Sequence, residues 1–240
     1  MIYIFDIDGT LTPSRNVIDP AFKTYFQHFI KNNKVWLVTG SDRDKTTEQI
    51  GFDIWGSVER VYQCCGNQLW IDGKLEKETE WSSPEYLDTL LDFMLEKSNY
   101  PHRYGNHVEK RIGMVNFSVV GRNCTQEQRN AYFKWDKENE ERKQFTEEIT
   151  SRYPWLDATI GGEISIDIYE RGADKGQILD DLPEDENFTF FGDNLFPGGN
   201  DYAIQEAAIQ KKLKGNEFFH VKSWKDTREL LYSIKTNGTI

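Results

Sequence analysis

The sequence predicts an α/β protein: a doubly wound, mostly parallel core interrupted by an inserted α+β cap. Three observations carry that expectation. The first third alternates short, continuous apolar runs with a helical pattern, as parallel strands covered on both faces do. The last third returns to the same style. Between them, helices and separated strands follow one another without such runs, the mark of an α+β unit. The expected layout is a core made of residues 1–80 and 172–240, with the cap at 81–171.

Each element has its own signal. IYIF (Ile2 to Phe5) is a continuous apolar run and reads as a buried strand. Asp19 is a candidate N-cap with Pro20 at the first helical position, and Phe22, Tyr25, Phe26, Phe29 and Ile30 recur at helical spacing. VWLV (Val35 to Val38) is a second buried-type strand, ending in Thr39-Gly40-Ser41-Asp42. Strand, helix and strand joined this closely make a right-handed parallel crossover. Ligands collect beyond the carboxyl ends of such strands, where Asp6 and Thr39 stand.

After Ser82-Ser83-Pro84, the residues Tyr86, Leu87, Leu90, Leu91, Met94 and Leu95 describe an amphipathic helix. RIGMVNFSVVG (Arg111 to Gly121) reads as one strand with imperfect alternation. Thr125 and Gln128 have capping-box spacing and open a helix that carries Arg129. The charged stretch KWDKENEERKQFTEEITSRYP continues helically to Pro154, its charges read as a solvated face. GGEISIDIY (Gly161 to Tyr169) is a further strand with clear alternation. Asp174-Lys175-Gly176 begins a helix, NFTFFGDN (Asn187 to Asn194) is a buried strand ending in an acid, and FFHV (Phe218 to Val221) precedes a closing helix.

Bulk properties exclude several classes. With 38% hydrophobic and 14% aromatic residues, a chain of 240 residues has material for a sizeable core. A net charge of −11 argues against a nucleic-acid or anionic-membrane partner, though a local arginine cluster still allows a small anionic ligand. The three cysteines, with Cys64 and Cys65 adjacent, make neither a disulfide framework nor a metal-ligand spacing, and reduced thiols follow. No run approaches the ~20 apolar residues of a membrane span. The opening residues hold no basic leader or cleavable apolar region, so a soluble, cytoplasmic protein is expected.

The chemistry gathers at strand ends: Asp6-Ile7-Asp8-Gly9-Thr10, Thr39-Gly40-Ser41 and Gly192-Asp193, with Lys175 at a helix start. Carboxylates brought to one sheet edge are costly unless a cation compensates them. Hard oxygen donors suit Mg²⁺, usually shared between one or two carboxylates and a phosphate. Asp6 and Asp8 in an extended strand would point to opposite faces, so the chain must loop after Phe5, and Gly9 permits that turn. One carboxylate can then attack phosphorus while the other moves the proton of the leaving oxygen. For DIDGT alone an accidental acidic turn is the alternative; the ordered company of VTGS, Lys175 and FFGD argues against it.

These four segments resemble the motifs of the haloacid dehalogenase-like phosphotransferases. That resemblance implies a Rossmann-like core, Asp6 as nucleophile and Asp8 as acid/base. It also implies a magnesium site made by Asp6, the backbone carbonyl of Asp8, and Asp193. Thr39 and Lys175 would grip the transferring phosphoryl group, with Ser41 as the alternative hydroxyl. TPSR after the first motif, RIGMVNFSVVGRNCTQEQR, GGEISIDIY, the Gly172-x-Asp174-Lys175 spacing and FFGDNLFPGGND are together similar to the eukaryotic-type α-phosphomannomutases. By that resemblance Arg15, Arg111, Arg122, Arg129, Ser165 and Asp167 bind the sugar phosphate. Asn200 and Asp201 support the metal, and Asp201 reads alternatively as a helix N-cap. Ser165 and Asp167 lie two apart on a strand and share a face. For a single cap arginine, a surface salt bridge is the plain alternative.

The chain departs from that family at Cys64-Cys65-Gly66, where the family has Glu-Asn-Gly, at Ile112 in place of Asn, and at Ala173 in place of an aromatic residue. After Asn200-Asp201, where the family has an ion-binding loop containing an acid, it reads YAIQEAAIQ. The implied activity is interconversion of mannose 6-phosphate and mannose 1-phosphate through an aspartyl phosphate, with a hexose 1,6-bisphosphate as activator and a homodimer formed through the cap. The alternative is a sugar-phosphate phosphatase with the same machinery and water as final acceptor.

Overall fold

The computed structural model describes residues 1–237; of the expected core, residues 238–240 lie outside them. Strands β1 (Ile2–Phe5), β2 (Lys34–Val38) and β3 (Arg60–Gln63) run parallel. Between the first two, the Asp19 carboxylate accepts from the backbone N–H groups of Ala21 and Phe22 at 3.0 Å each, and helix α1 (Pro20–Asn32) starts at the proline. Helix α2 (Arg43–Ile50), opened by the Asp42 carboxylate on Lys45 N, and the single turn α3 (Phe52–Trp55) fill the next crossover.

A hairpin of β4 (Gln68–Ile71) and β5 (Lys74–Glu78) then extends the sheet in antiparallel fashion. It was not among the expected elements. The outer strand is exposed along its whole length, so it carries no apolar run to announce it.

The inserted unit consists of α4 (Glu85–Lys97), β6 (Val108–Arg111), β7 (Met114–Phe117), α5 (Gln126–Asn139), α6 (Glu141–Arg152), β8 (Leu156–Gly161) and β9 (Ser165–Glu170). Its sheet has the order β6-β7-β9-β8, antiparallel throughout. Two expected strands are corrected here. RIGMVNFSVVG spans the turn of a hairpin, with Gly113 at φ +65 between β6 and β7. GGEISIDIY likewise starts in a turn, with Gly161 closing β8. A turn resets the two-residue period, which accounts for the imperfect alternation of the first segment.

The capping box forms as read: Gln128 N donates to Thr125 Oγ1 and Thr125 N donates to Gln128 Oε1. The charged stretch after it is broken at Glu140 (φ 53, ψ 30) into two helices. Nor is it solvated throughout. Arg142 Nε donates to Asp136 Oδ2 at 2.7 Å and Glu141 accepts from Ser98 Oγ and Asn99 N, all three charges being buried. Such burial survives because each charge is paired or hydrogen-bonded.

The chain then returns to the large sheet. The helix expected to begin at Asp174-Lys175-Gly176 is a 3₁₀ helix (Lys175–Asp181), opened by Asp174 on Gly176 N. It leads to β10 (Phe188–Gly192), α7 (Tyr202–Gln210), β11 (Glu217–His220) and α8 (Trp224–Asn237). The seven-stranded order is β11-β10-β1-β2-β3-β4-β5, with the first five strands parallel. The chain winds from β1 outward through β2 and β3, then restarts on the other side at β10. The topological switch point therefore lies between β1 and β10.

Alternate strand residues divide the core into two layers. Ile4, Trp36, Val38 and Phe190 pack with Ile178 and Ile204 on one face; Phe5, Leu37, Val61 and Phe191 pack with Phe22, Phe26 and Leu231 on the other. Helices on both faces make the sheet doubly wound. The inserted unit has its own core, centred on Leu91, Met94, Tyr132, Val115 and Ile168. A small apolar cluster of Cys64, Cys65, Met114 and Tyr169, with Ile112 and Ala173 packed against it, joins the two.

Candidate active site

The ladder between β1 and β10 continues one residue past β1, where Asp6 N donates to Phe191 O at 3.0 Å. The chain then folds back on itself: Gly9 N donates to Thr12 O, and Leu11 N to Ile7 O. Gly9 adopts φ +80, and a Cβ there would lie 2.4 Å from Asp193 Oδ2. Glycine is thus what lets the acid after β10 reach the turn after β1. The turn also separates the two aspartates. Asp6 faces Lys175, whereas Asp8 Oδ1 accepts from Arg15 N at 2.6 Å and Gln49 Nε2 at 2.9 Å.

Lys175 Nζ donates to Asp6 Oδ1 at 2.7 Å and to Asp201 Oδ1 at 2.6 Å, and is 1% exposed. The other oxygen of Asp201 accepts from Asn194 N at 3.0 Å. Asp201 makes no side-chain cap to α7, so its N-cap reading is set aside. Asp193 Oδ1 accepts from Asn194 Nδ2, and its backbone carbonyl meets His220 Nε2. One carboxylate oxygen from each of Asp6, Asp193 and Asp201 lies within 4.8 Å of the others.

One lysine does not balance this charge. Burial pushes the Asp6 carboxyl up to about 8; Asp201 and Asp8 add to the rise and Lys175 opposes it. Burial, with Asp6 and Asp201, also lifts Asp193 well above the carboxylate range. Burial works against the charge on Lys175, but Asp201 and Asp6 outweigh it and keep the ammonium. A hard dication fits this all-oxygen, under-compensated donor set. Asp6 and Asp193 have oxygens for it, while both oxygens of Asp201 serve Lys175 and Asn194.

At the neighbouring strand end, Thr39 Oγ1 accepts from Ser41 N at 3.1 Å. The backbone of Thr39 is fixed by Tyr62 O and Cys65 N. Thr39 and Ser41 both line a cleft of about 490 Å³, open mouth included, whose wall also holds Asp6 and Asp8. Lys175, Asp193 and Asp201 do not line it and stand behind Asp6.

The inserted unit supplies the opposite wall with Arg111, Arg122, Arg129, Ser165 and Asp167, and Arg15 lies between. These arginines have local acceptors. Arg122 pairs with Glu109 and donates to Asn116 Oδ1 and Ser165 Oγ; Arg111 pairs with the same Glu109 and donates across the cleft to Gly40 O. Arg129 Nε is 3.8 Å from Glu163 Oε2. Burial lowers the pKa of Arg15, with Arg129 and Arg111 adding to the effect. The crowding leaves room for an anion.

Asp167 is engaged from both sides: Asn116 Nδ2 donates to Oδ1 at 2.6 Å and Asn200 Nδ2 to Oδ2 at 3.2 Å. Asn200 Oδ1 is buried and has no partner among the described residues. Nearby, Ile160 N donates to Gly198 O and Asn200 N to Ile160 O, so the end of β8 docks on the loop after β10. The sequence reading missed Lys45, Gln49, Glu109, Asn116 and Glu163. Glu109 had a signal, since it lies two residues from Arg111 on one strand face. Asn116 interrupts an otherwise apolar run. Gln49 and Lys45 had none.

A sequence profile described as eukaryotic phosphomannomutase matches residues 22–235. A phosphomannomutase of Dendrobium officinale is 35% identical over 215 residues, spanning 86% of this chain and 85% of its own. Phosphomannomutase 1 of Dictyostelium discoideum is 34% identical over 244 residues, spanning 97% and 96%. Among solved structures, the C-terminal domain of C. albicans trehalose-6-phosphate phosphatase aligns with a TM-score of 0.66 at 15% identity, covering 99% of this chain and 93% of that one. An N-terminally truncated, IMP-bound IMP-nucleotidase of Plasmodium falciparum aligns with a TM-score of 0.63 at 16% identity, covering 98% and 68%. At these identities the structural likeness speaks for the fold alone.

Proposed function

The chain belongs to the eukaryotic phosphomannomutase family, and from that premise we propose that it interconverts mannose 6-phosphate and mannose 1-phosphate. The observation that carries the proposal is a single cleft with two anion-handling walls. One holds Asp6, Asp8, Thr39 and, behind Asp6, Lys175; the other holds Arg111, Arg122 and Arg129. A hexose bisphosphate has one phosphate for each wall.

In this reading residues 81–171 act as a cap over a core of 1–80 and 172–240. Asp6 takes a phosphoryl group from a hexose 1,6-bisphosphate and passes it to a hexose monophosphate. The sugar turns over between the two transfers, so the phosphate that was held by the arginines becomes the reacting one. Asp8 gives a proton to the leaving sugar oxygen and removes one from the attacking hydroxyl. Lys175 and Thr39 position the transferring group, whose charge is spread over its oxygens. Mg²⁺ would be held by Asp6, Asp193 and the backbone carbonyl of Asp8, and when bound supplies charge neutralisation at phosphorus. Ser165 and Asp167 hold sugar hydroxyls, and the closed cap keeps water from the acyl phosphate. A cytoplasmic homodimer joined through the cap completes the proposal; among the described residues, no helix is long and apolar enough to cross a membrane.

The test is incubation with mannose 6-phosphate, Mg²⁺ and catalytic glucose 1,6-bisphosphate, with mannose 1-phosphate and inorganic phosphate both measured. Mannose 1-phosphate as the main product supports the proposal. Inorganic phosphate without isomer replaces it with a sugar-phosphate phosphatase, and neither product rejects both.

A further inference from the structure

Both hydrogen bonds to Asp8 fall on one oxygen. Oδ1 accepts from Arg15 N at 2.6 Å and Gln49 Nε2 at 2.9 Å, while Oδ2 receives none among the described residues. The Arg15 donor is main chain, so Gln49 is the side chain that sets this orientation. Gln49 is itself tightly held. It is 6% exposed, its backbone carbonyl accepts from Ile18 N at 2.9 Å, and Nε2 also reaches Thr12 Oγ1 at 3.3 Å. Thr12 in turn forms a bridge with Asp8 and accepts from Gly9 N. The last turn of α2, which follows the Thr39-Gly40-Ser41 strand end, is thereby clamped to the Asp6–Thr12 loop. Turning the Gln49 amide over would set its oxygen against the carboxylate, so the nitrogen must face Asp8.

We infer that Gln49 is a positioning residue for proton transfer: by fixing Oδ1 of Asp8, it presents Oδ2 as the oxygen that carries the proton. The inference rests on the proposed mutase reading. In phosphoenzyme formation an Asp6 oxygen forms a bond to phosphorus and the bond from phosphorus to the sugar oxygen breaks. The electron pair of that bond stays on the sugar oxygen, which takes the proton from Asp8 Oδ2. A misaimed Oδ2 slows this step only where the leaving oxygen needs a proton. The p-nitrophenolate ion leaves as a stable anion and needs none.

The experiment compares wild type, Gln49→Leu and Gln49→Glu, each with Mg²⁺. Phosphoenzyme formed from glucose 1,6-bisphosphate is trapped by acid quench, and the first-turnover release of nitrophenolate from p-nitrophenyl phosphate is followed by absorbance. Positioning loss of this kind is expected to slow the sugar-phosphate reaction by roughly 10- to 100-fold, with nitrophenolate release near the wild-type rate. That preserved release also shows that Asp6 and its surroundings are intact. Gln49→Glu, which keeps the side chain's size but sets a like charge against Asp8, is expected to show the same selectivity. Equal losses with both donors, or no loss with either, overturn the inference while leaving the mutase reading in place. Wild-type enzyme that forms no phosphoenzyme from either donor overturns the reading and the inference together.

Discussion

At the scale of residues, the site is a problem of charge. Asp6 and Asp201, both buried, share one lysine, half-buried Asp193 stands beside them, and a cation is the natural complement. This has a pH signature. The Asp6 carboxyl rises from 3.8 unfolded to about 8 in the fold, so between those values the folded state holds a proton that the unfolded state has lost. The contribution of Asp6 to stability is therefore full below about pH 4 and falls as pH rises toward 8. Cation binding must displace that proton. The stabilisation given by saturating Mg²⁺ over EDTA, read as a shift in Tm, should grow with pH across this window; a pH-independent shift contradicts the charge argument. Arg122, held by Glu109, Asn116 and Ser165, tests the opposite wall. A charge-assisted bond to phosphate contributes roughly 1.5–3 kcal/mol. Arg122→Ala should raise KM for mannose 6-phosphate about 10- to 100-fold, and an unchanged KM removes it from the phosphate site. The acids were legible because carboxylates at the ends of apolar runs break a local rule. Gln49 and Lys45 break none: their contacts with Asp8 and Glu109 span 41 and 64 residues, and only the fold makes them neighbours.

At the scale of elements, buried parallel strands and capped helices were readable and hairpins were not. IYIF, VWLV and FTFF lie inside a sheet covered on both faces, so their runs are apolar but for Thr189. The Asp19 and Thr125 caps are local chemistry, complete within four residues. The β6–β7 and β8–β9 turns, by contrast, fall inside segments that read as continuous strands, and β5 is exposed throughout. Residues distant in the chain come together at this scale. The Cys64-Cys65 pair, Ile112 and Ala173 come from three distant segments, yet all belong to the apolar cluster that joins the two units. Ile112→Asn, which places an amide in that cluster, should cost about 1–3 kcal/mol of stability. It should also loosen the junction, so that more inorganic phosphate appears per mannose 1-phosphate formed. A product ratio equal to that of the wild type contradicts the role given to the cluster.

At the scale of the whole molecule, the two units meet around the cleft through chemically distinct ties. Lys45 of α2 pairs with Glu109 of β6, Arg111 reaches Gly40 O, Asn200 holds Asp167, and Ile160 exchanges backbone bonds with Gly198 and Asn200. Asp167 is thus both a wall of the cleft and a fastening between units. The doubly wound layout could be foreseen because its rules are topological, and it puts β1 beside β10 and so Asp6 beside Asp193. The closeness of the opposite wall could not be foreseen, since it depends on how the inserted unit sits on the core. The decisive measurement is the address of the phosphoryl group. After brief reaction with labelled glucose 1,6-bisphosphate and Mg²⁺, acid quench and peptide mapping should find about one phosphoryl group per chain, on the peptide containing Asp6, labile to hydroxylamine and absent from Asp6→Asn. A stable label on another residue, or full isomerase activity in Asp6→Asn, would contradict it.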